Sequence, residues 1–203
     1  GYQIAQNIKE MIFSQKLKSG DRIPEEEIAN MFQVSRTPIR EALRKLEEQG
    51  LVKIYPHRYA TVVKLDHNAK EHIGQVRIAL DVLSVNILSA KIREDQCNEL
   101  IKIANDCITF GEEGDKIALF EKDSDFHLTL AKMTDNPYLY DIQKGLNLKV
   151  QLLRSTMYIN LEEIKEGIKL HIPIVEALRE HDAEKASDLM RTHLEQFYEK
   201  EPQ

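Results

Sequence analysis

Four polar residues lie on otherwise apolar helix stripes, and their side chains could bind a metal ion: Asp123, His127, His171 and His193. Asp123 and His127 are four residues apart, so on a helix they project from the same face. A carboxylate oxygen and an imidazole nitrogen can then converge on one ion, and these donors suit zinc, nickel, manganese and iron alike. The pair alone is weak evidence for a metal.

The other two histidines are placed symmetrically about a predicted turn. His171 and His193 are each eleven residues from Asp182. If the chain reverses there, two antiparallel helices bring both imidazoles to the same level. A site of three histidines and one carboxylate is then geometrically plausible. The alternative is a set of core or interface histidines that are satisfied by hydrogen bonds.

A second chemical group is a row of arginines, Arg36, Arg40 and Arg44, which recur every fourth residue with Thr37 beside them. On a helix they stand one above another, and arginine can bind phosphate oxygens and guanine edges in a major groove. Ser35 is a suitable N-cap, and Gly50 follows the last turn. Four apolar residues form the stripe on the opposite face: Ile39, Ala42, Leu43 and Leu46.

Shorter elements surround this predicted recognition helix. Residues 2–15 have the pattern of an amphipathic helix, and Pro24 is suited to begin a second, supporting helix. After the recognition helix, residues 51–55 and 60–64 are β-prone segments that flank a turn containing Arg58. The pattern indicates a β-hairpin, or wing.

These segments resemble the winged helix-turn-helix of the GntR family of bacterial transcriptional regulators. The resemblance is carried by Leu17–Glu25, by Ile28-Ala29 and by Val34–Leu43, and it continues to Val52. It implies double-stranded DNA as a partner, and it supports DNA-binding roles for six residues: Ser35, Arg36, Thr37, Arg40, Arg44 and Arg58. Tyr59 stands where the family usually has a wing-tip glycine, a departure that argues against close minor-groove approach.

From Asp66 onward the periodicity is helical, and an antiparallel bundle is the simplest way to bury so many stripes. The predicted fold is therefore mainly α, with a winged helix-turn-helix at residues 1–65 and an all-helical domain at residues 66–203. Six helices are expected, at about 67–91, 94–110, 115–133, 137–158, 162–181 and 183–199. The fourth has the clearest stripe: Leu139, Ile142, Leu146, Val150, Leu153 and Met157.

The helical region resembles the FCD effector domain of the FadR subfamily, in its VanR-like form. The resemblance rests on the Asp123-x-x-x-His127 pair, on Asn136-Pro137 and on the surroundings of His171 and His193. It implies that these four residues bind a divalent cation, often zinc, beneath a pocket for a small carboxylate effector.

Arg77 matches the arginine that the FCD family has near this pocket. It also borders an apolar stripe that includes Leu80 and Leu83, and a guanidinium on a buried edge requires an anionic partner. A surface pair with Asp81, four residues on, is the alternative. Asp81 itself departs from the family, which usually has Glu there.

Charge is distributed unevenly along the chain, whose formal net charge is −6. Residues 1–64 contain 11 Lys and Arg against 8 Asp and Glu, a net charge of +3, and the remainder carries −9. A basic first part suits contact with phosphates. No apolar run approaches the ~20 residues of a transmembrane helix, and no signal sequence is evident. The cytoplasm is therefore expected, with Cys97 and Cys107 reduced.

Together these features predict a metabolite-responsive regulator, a repressor, that binds a palindromic operator as a homodimer. Three alternatives remain open. The histidine cluster could belong to a metalloenzyme, although four protein ligands leave little room for a substrate. The pocket could be metal-free and take a larger acyl ligand, or the protein could sense the metal alone.

Overall fold

The computed structural model describes residues 2–157 and 159–198, which group into two compact units. Among these residues, 2–69 and 148–157 form the first unit, and 70–147 and 159–198 form the second. The first 65 residues form α1 Tyr2–Phe13, α2 Glu25–Met31, α3 Arg36–Glu48, β1 Val52–Tyr55 and β2 Tyr59–Val62. Seven helices follow: α4 Ala69–Ser89, α5 Glu94–Glu113, α6 Lys116–Met133, α7 Pro137–Thr156, α8 Leu161–Ile168, α9 His171–Arg179 and α10 Ala183–Tyr198.

The first unit is a winged helix-turn-helix, as predicted. Helix α1 buries Ile8 and Ile12 against the stripe of α3. Gly50 follows α3 with a φ of 66°, a left-handed conformation that glycine adopts at little cost. The two strands pair antiparallel from Val52 opposite Val62 to Tyr55 opposite Tyr59.

Predicted helix starts in the rest of the chain are confirmed by their hydrogen bonds. Asn136 Oδ1 accepts from the amide of Leu139 at 3.2 Å, and Asn160 Oδ1 accepts from that of Glu162 at 3.1 Å. Asp182 Oδ1 accepts from the amide of Lys185 at 3.0 Å. These side chains satisfy amides that have no partner inside the helix.

The prediction of one helix over 162–181 is wrong, because this segment forms α8 and α9 with a break at Lys169 and Leu170. Pro173 explains the break. Proline has no amide hydrogen, and its ring collides with the carbonyl four residues earlier, here that of Lys169. The helical region therefore has seven helices among the described residues instead of about six.

Two predicted core positions are exposed. Ile142 of the expected α7 stripe has 56% of its surface exposed, and Leu83 of α4 has 44%. Leu152, which lies outside the expected stripe, is fully buried within the core of the first unit. Helix α7 therefore buries different faces along its length, so a single stripe does not describe it.

Two further expectations concern composition. Cys97 and Cys107 are free, buried thiols of α5, as expected. Among the described residues, no helix is both long and apolar enough to cross a membrane.

Candidate metal centre and nucleic-acid interface

The recognition helix α3 presents its predicted DNA-binding residues to solvent. Ser35 is the N-cap residue, but its side chain makes no capping hydrogen bond. The side chains of Arg36, Thr37, Arg40 and Arg44 are all exposed. The N-terminal half of α3 is thus available to enter a groove of DNA, with its apolar stripe held in the core.

Two of these arginines pair with the acidic start of α2. Arg36 Nη2 lies 2.6 Å from Glu26 Oε2, and Arg40 Nε lies 3.1 Å from Glu25 Oε2. Such exposed pairs contribute only about 0–1 kcal/mol. Phosphate oxygens of DNA can therefore replace the carboxylates at little cost in free energy. Until then the ion pairs restrict the conformations of the two arginine side chains.

The wing turns between its two strands at His57, whose backbone is left-handed with a φ of 58°. Tyr59 lies within β2, where its ring packs on that of Tyr55 at 4.8 Å and beneath the guanidinium of Arg22 at 5.1 Å. Arg58 stays exposed in the turn, where a phosphate could reach it.

Three helices bring the four predicted metal ligands together. Asp123 and His127 lie on α6, His171 is the first residue of α9, and His193 lies on α10. His193 Nε2 is 3.1 Å from His171 Nε2 and 3.2 Å from His127 Nε2. The two histidines on either side of Asp182 thus face each other at one level.

The carboxylate of Asp123 completes the cluster. Its Oδ1 lies 3.3 Å from His171 Nε2, 3.5 Å from His127 Nε2 and 3.9 Å from His193 Nε2. All four residues are buried, and one ligand atom of each lies within 4.8 Å of the others. Ligands about 2.1 Å from one ion are separated by about 3.0–3.4 Å at right-angle or tetrahedral geometry. Most of the measured distances fall in or near that range.

Outer contacts orient two of the imidazoles. His193 Nδ1 donates to the carbonyl of Gly167 at 2.9 Å, so its Nε2 has the lone pair. His127 Nδ1 lies 3.1 Å from Asp81 Oδ1, an ion pair without hydrogen-bond alignment. The ring of His171 instead stacks on Phe126, with centroids 3.9 Å apart. A carboxylate or carbonyl behind a histidine is the usual arrangement around protein-bound metals.

The protonation of the cluster also favours a cation at its centre. Burial, reinforced by His171 and His127, lowers the pKa of His193 far below its ordinary value, and burial likewise lowers that of His171. Burial also opposes a charge on His127, but Asp81 and Asp123 outweigh it and raise the pKa. Burial therefore keeps the imidazoles of His171 and His193 neutral, and a neutral imidazole offers the nitrogen lone pair that a metal ion binds.

Arg77 is buried, with only 2% of its surface exposed, so its pairing is not the surface pair considered above. Its Nε lies 3.5 Å from Asp81 Oδ2, and its Nη2 lies 3.5 Å from Asp123 Oδ2. Burial lowers the pKa of Arg77, but Tyr198, Asp81 and Asp123 outweigh burial and raise it. The guanidinium therefore lies next to the cluster formed by Asp123, His127, His171 and His193, on the side of Asp81 and Asp123.

Several contributors were missed by reasoning from sequence. Asp81 accepts a hydrogen bond at 2.9 Å from Gln143 Nε2, and Asp81 in turn contacts His127. Gly167 supports His193 through its backbone, which leaves no trace in a sequence pattern. The spacing of Arg77 and Asp81 is visible in the sequence. Only the structure shows that both residues are buried and that Asp81 also contacts His127.

Comparison with known families covers most of the chain. Residues 2–62 match the family described as bacterial regulatory proteins, gntR family, and residues 72–196 match the FCD domain. The chain is 27% identical over 180 residues to the HTH-type transcriptional repressor RspR of Escherichia coli, covering 89% of this chain and 79% of RspR. It is 26% identical over 214 residues to the HTH-type transcriptional repressor NanR of an Enterobacter species, covering 94% and 81%.

Solved structures share the fold. E. coli McbR/YncC superposes with a TM-score of 0.82 at 22% identity, covering 96% of this chain and 93% of that one. A GntR transcriptional regulator from Rhodococcus sp. RHA1 gives a TM-score of 0.81 at 21% identity, with the same coverage. At these identities the likeness establishes the fold alone.

Proposed function

Because the chain belongs to the GntR family of bacterial regulatory proteins and has an FCD domain, it is a DNA-binding transcriptional regulator and not an enzyme, and we propose that it is a metabolite-responsive repressor. In this proposal a homodimer binds a palindromic operator through Ser35, Arg36, Thr37, Arg40, Arg44 and Arg58. The helical region binds a divalent metal through Asp123, His127, His171 and His193, and a small organic acid is the effector.

The observation that carries this proposal is the buried convergence of Asp123 with three histidine Nε2 atoms at 3.3–3.9 Å. A divalent ion would accept a lone pair from each of these four residues, and its charge would offset the repulsion among their inward-facing atoms. Zinc is the proposed ion. Nickel, manganese and iron are the alternatives, because histidine and carboxylate ligands suit them too.

Charge balance supports an anionic effector. Arg77 and a divalent ion would bring three positive charges to the buried centre, against the two negative charges of Asp81 and Asp123. An uncompensated buried charge is strongly unfavourable. One carboxylate that coordinates the ion and pairs with Arg77 would neutralise the centre.

The effector acts only through a difference in its affinity for two arrangements of the protein. A carboxylate at the metal would pull Arg77 away from Asp81 and Asp123 and thereby change the packing of α4 on α6. Relief of repression by the effector is the direction proposed. The repressor names of RspR and NanR, which are statements about those proteins, support repression itself and carry no information on the effector.

Replacing Arg77 with alanine tests the effector site. Wild-type protein loaded with zinc is titrated with small mono- and dicarboxylates while bound to the duplex that it selects from a random pool. The Arg77→Ala variant should need roughly 10–150 times more of the active acid for release, because a charge-assisted hydrogen bond contributes about 1.5–3 kcal/mol. Zinc content and the unfolding midpoint serve as controls, and an undiminished response would remove Arg77 from the effector site.

A homodimer is proposed because each recognition helix reads one half-site. Exposed apolar side chains on two neighbouring helices support it: Val76 and Leu83 on α4, and Tyr138 and Ile142 on α7. The hydrogen bond between Gln143 and Asp81 links these two helices. Burial of such side chains against a second subunit would remove their apolar surface from water.

Leu83→Glu should therefore convert the dimer to a monomer, because a carboxylate cannot be buried at the interface without a partner. Sedimentation velocity measures the change. Asn105→Glu, which adds the same charge to an exposed position of α5, is the matched control and should remain dimeric. A Leu83→Glu variant that stays fully dimeric would assign the interface to another surface.

A regulator without metal is the second candidate, and the raised pKa of His127 is the observation that favours it. A proton on His127 Nε2 would donate to His193 Nε2 and relieve part of the repulsion. That candidate predicts no stoichiometric zinc and a larger, acyl-type ligand. A direct metal sensor, in contrast, predicts operator affinity that follows free zinc concentration with no organic acid present.

A further inference from the structure

Helix α7 contributes to both units of the protein. Its residues from Leu148 onward group with the winged helix-turn-helix, and Leu152 is fully buried in that core. Gln15 Nε2, just after α1, donates a hydrogen bond at 3.0 Å to Ser155 Oγ of α7. The DNA-binding unit is thus completed by a segment of α7 that is separated from Ala69 by the 78 residues from Lys70 to Asn147.

The contact of α7 with the recognition helix is made by Lys149. Its Nζ donates to the carbonyl of Gly50, the left-handed residue that follows α3. Gly50 lies two residues beyond Glu48, the last residue of α3, and an ammonium group near the negative C-terminal end of a helix dipole is favourable. A Cβ built on Gly50 would collide with Lys149, so this side chain is packed closely over the end of α3.

The earlier part of α7 is connected to the candidate metal centre. Gln143 is buried and donates at 2.9 Å to Asp81 Oδ1, the atom that lies 3.1 Å from His127 Nδ1. Gln143 and Lys149 are six residues apart on one continuous helix, a rise of about 9 Å. A displacement of Asp81 is therefore transmitted along a short, stiff element.

We propose that Lys149 is a positioning residue for the recognition helix, and that the Asp81–Gln143 hydrogen bond lets α7 transmit the state of the metal centre to α3. The second part rests on the proposed metal site, and the first part does not. A bound ion would hold the imidazole of His127, and Asp81 and Gln143 would shift with that imidazole. The shift would reach Lys149 along α7 and change how the end of α3 is held.

The first test uses operator affinity. Lys149→Met keeps the aliphatic stem and removes the charge, and it should weaken binding to the selected duplex roughly two- to tenfold, the range of a helix-terminal charge interaction. Lys149→Arg should restore affinity, which a general loss of stability would not predict. Lys144→Met, at an exposed position of the same helix, is the matched control and should bind as the wild type does. Equal affinities for all four proteins would overturn the positioning role.

The second test follows hydrogen exchange of the amides from Glu47 to Val52 with and without zinc. In the wild type, zinc should change their protection. In Gln143→Leu, which keeps the side-chain volume but cannot donate to Asp81, zinc should still bind while this change is lost. An unchanged response in Gln143→Leu would overturn transmission through α7. If the wild type binds no zinc, transmission and the proposed metal site both fail, while the Lys149 variants still decide the positioning role.

Discussion

Replacing His193 with alanine should abolish stoichiometric metal binding. His193 Nε2 lies within 3.2 Å of the Nε2 atoms of both other imidazoles. Its Nδ1 donates a hydrogen bond to the carbonyl of Gly167, so Nε2 is free to bind an ion through its lone pair. Loss of a residue that merely supports a ligand weakens metal affinity by about 10–100-fold, so loss of a ligand should exceed about 100-fold. Elemental analysis of protein purified without chelator or affinity metal should give one ion per wild-type chain and none in the variant.

Thermal unfolding provides the independent readout. A ligand present at a thousand times its Kd stabilises the folded state by about 4 kcal/mol, so zinc should raise the wild-type midpoint by many degrees. The midpoint of His193→Ala should not respond. His72→Ala, at an exposed position of α4, is the control and should behave as the wild type does. Zinc binding that survives in His193→Ala would refute the four-ligand site, whereas its absence from every protein would favour the metal-free regulator.

The convergence of Asp123 with three histidines could be predicted because it depends on short spacings along the chain. Asp123 and His127 share a helix face, and the chain reverses at Asp182 midway between His171 and His193. Both patterns depend only on helix periodicity and one turn. Even the wrong prediction of a continuous helix over 162–181 left His171 at the correct level, because the break at Lys169 and Leu170 precedes it.

The contacts that support the cluster could not be anticipated in the same way. Gln143 is 62 residues from Asp81, and no periodicity relates them. Gly167 acts through its backbone carbonyl, which any residue could supply. Nothing in the sequence distinguishes Lys149 from the other basic residues of α7, and only the fold places its ammonium group on Gly50. Local spacing therefore predicted which four residues converge, whereas the residues that contact them from other helices could be identified only in the structure.

Replacing Arg40 or Arg36 with alanine should weaken operator binding by about 1–3 kcal/mol for each half-site, or roughly 5–150-fold. Both side chains are exposed on the first half of α3, and each is held by a carboxylate of α2 in the free protein. Breaking such an exposed pair costs at most about 1 kcal/mol, so the DNA contact should dominate the balance. Lys45→Ala, on the far flank of the same helix, is the matched control and should change affinity much less.

The pattern across duplexes separates the two roles that an arginine can have. If Arg40 grips a base, Arg40→Ala should lose affinity for the selected operator and retain binding to unrelated duplex, with discrimination reduced. If it grips phosphate, affinity for both should fall together, and the slope of log affinity against log salt should decrease by about one for each arginine removed. Arg58→Ala in the wing should show the phosphate pattern, because Tyr59 lies within β2 and leaves the arginine at the turn. Unchanged operator affinity in both Arg36→Ala and Arg40→Ala would show that α3 is not the recognition helix, even though its apolar stripe packs in the core.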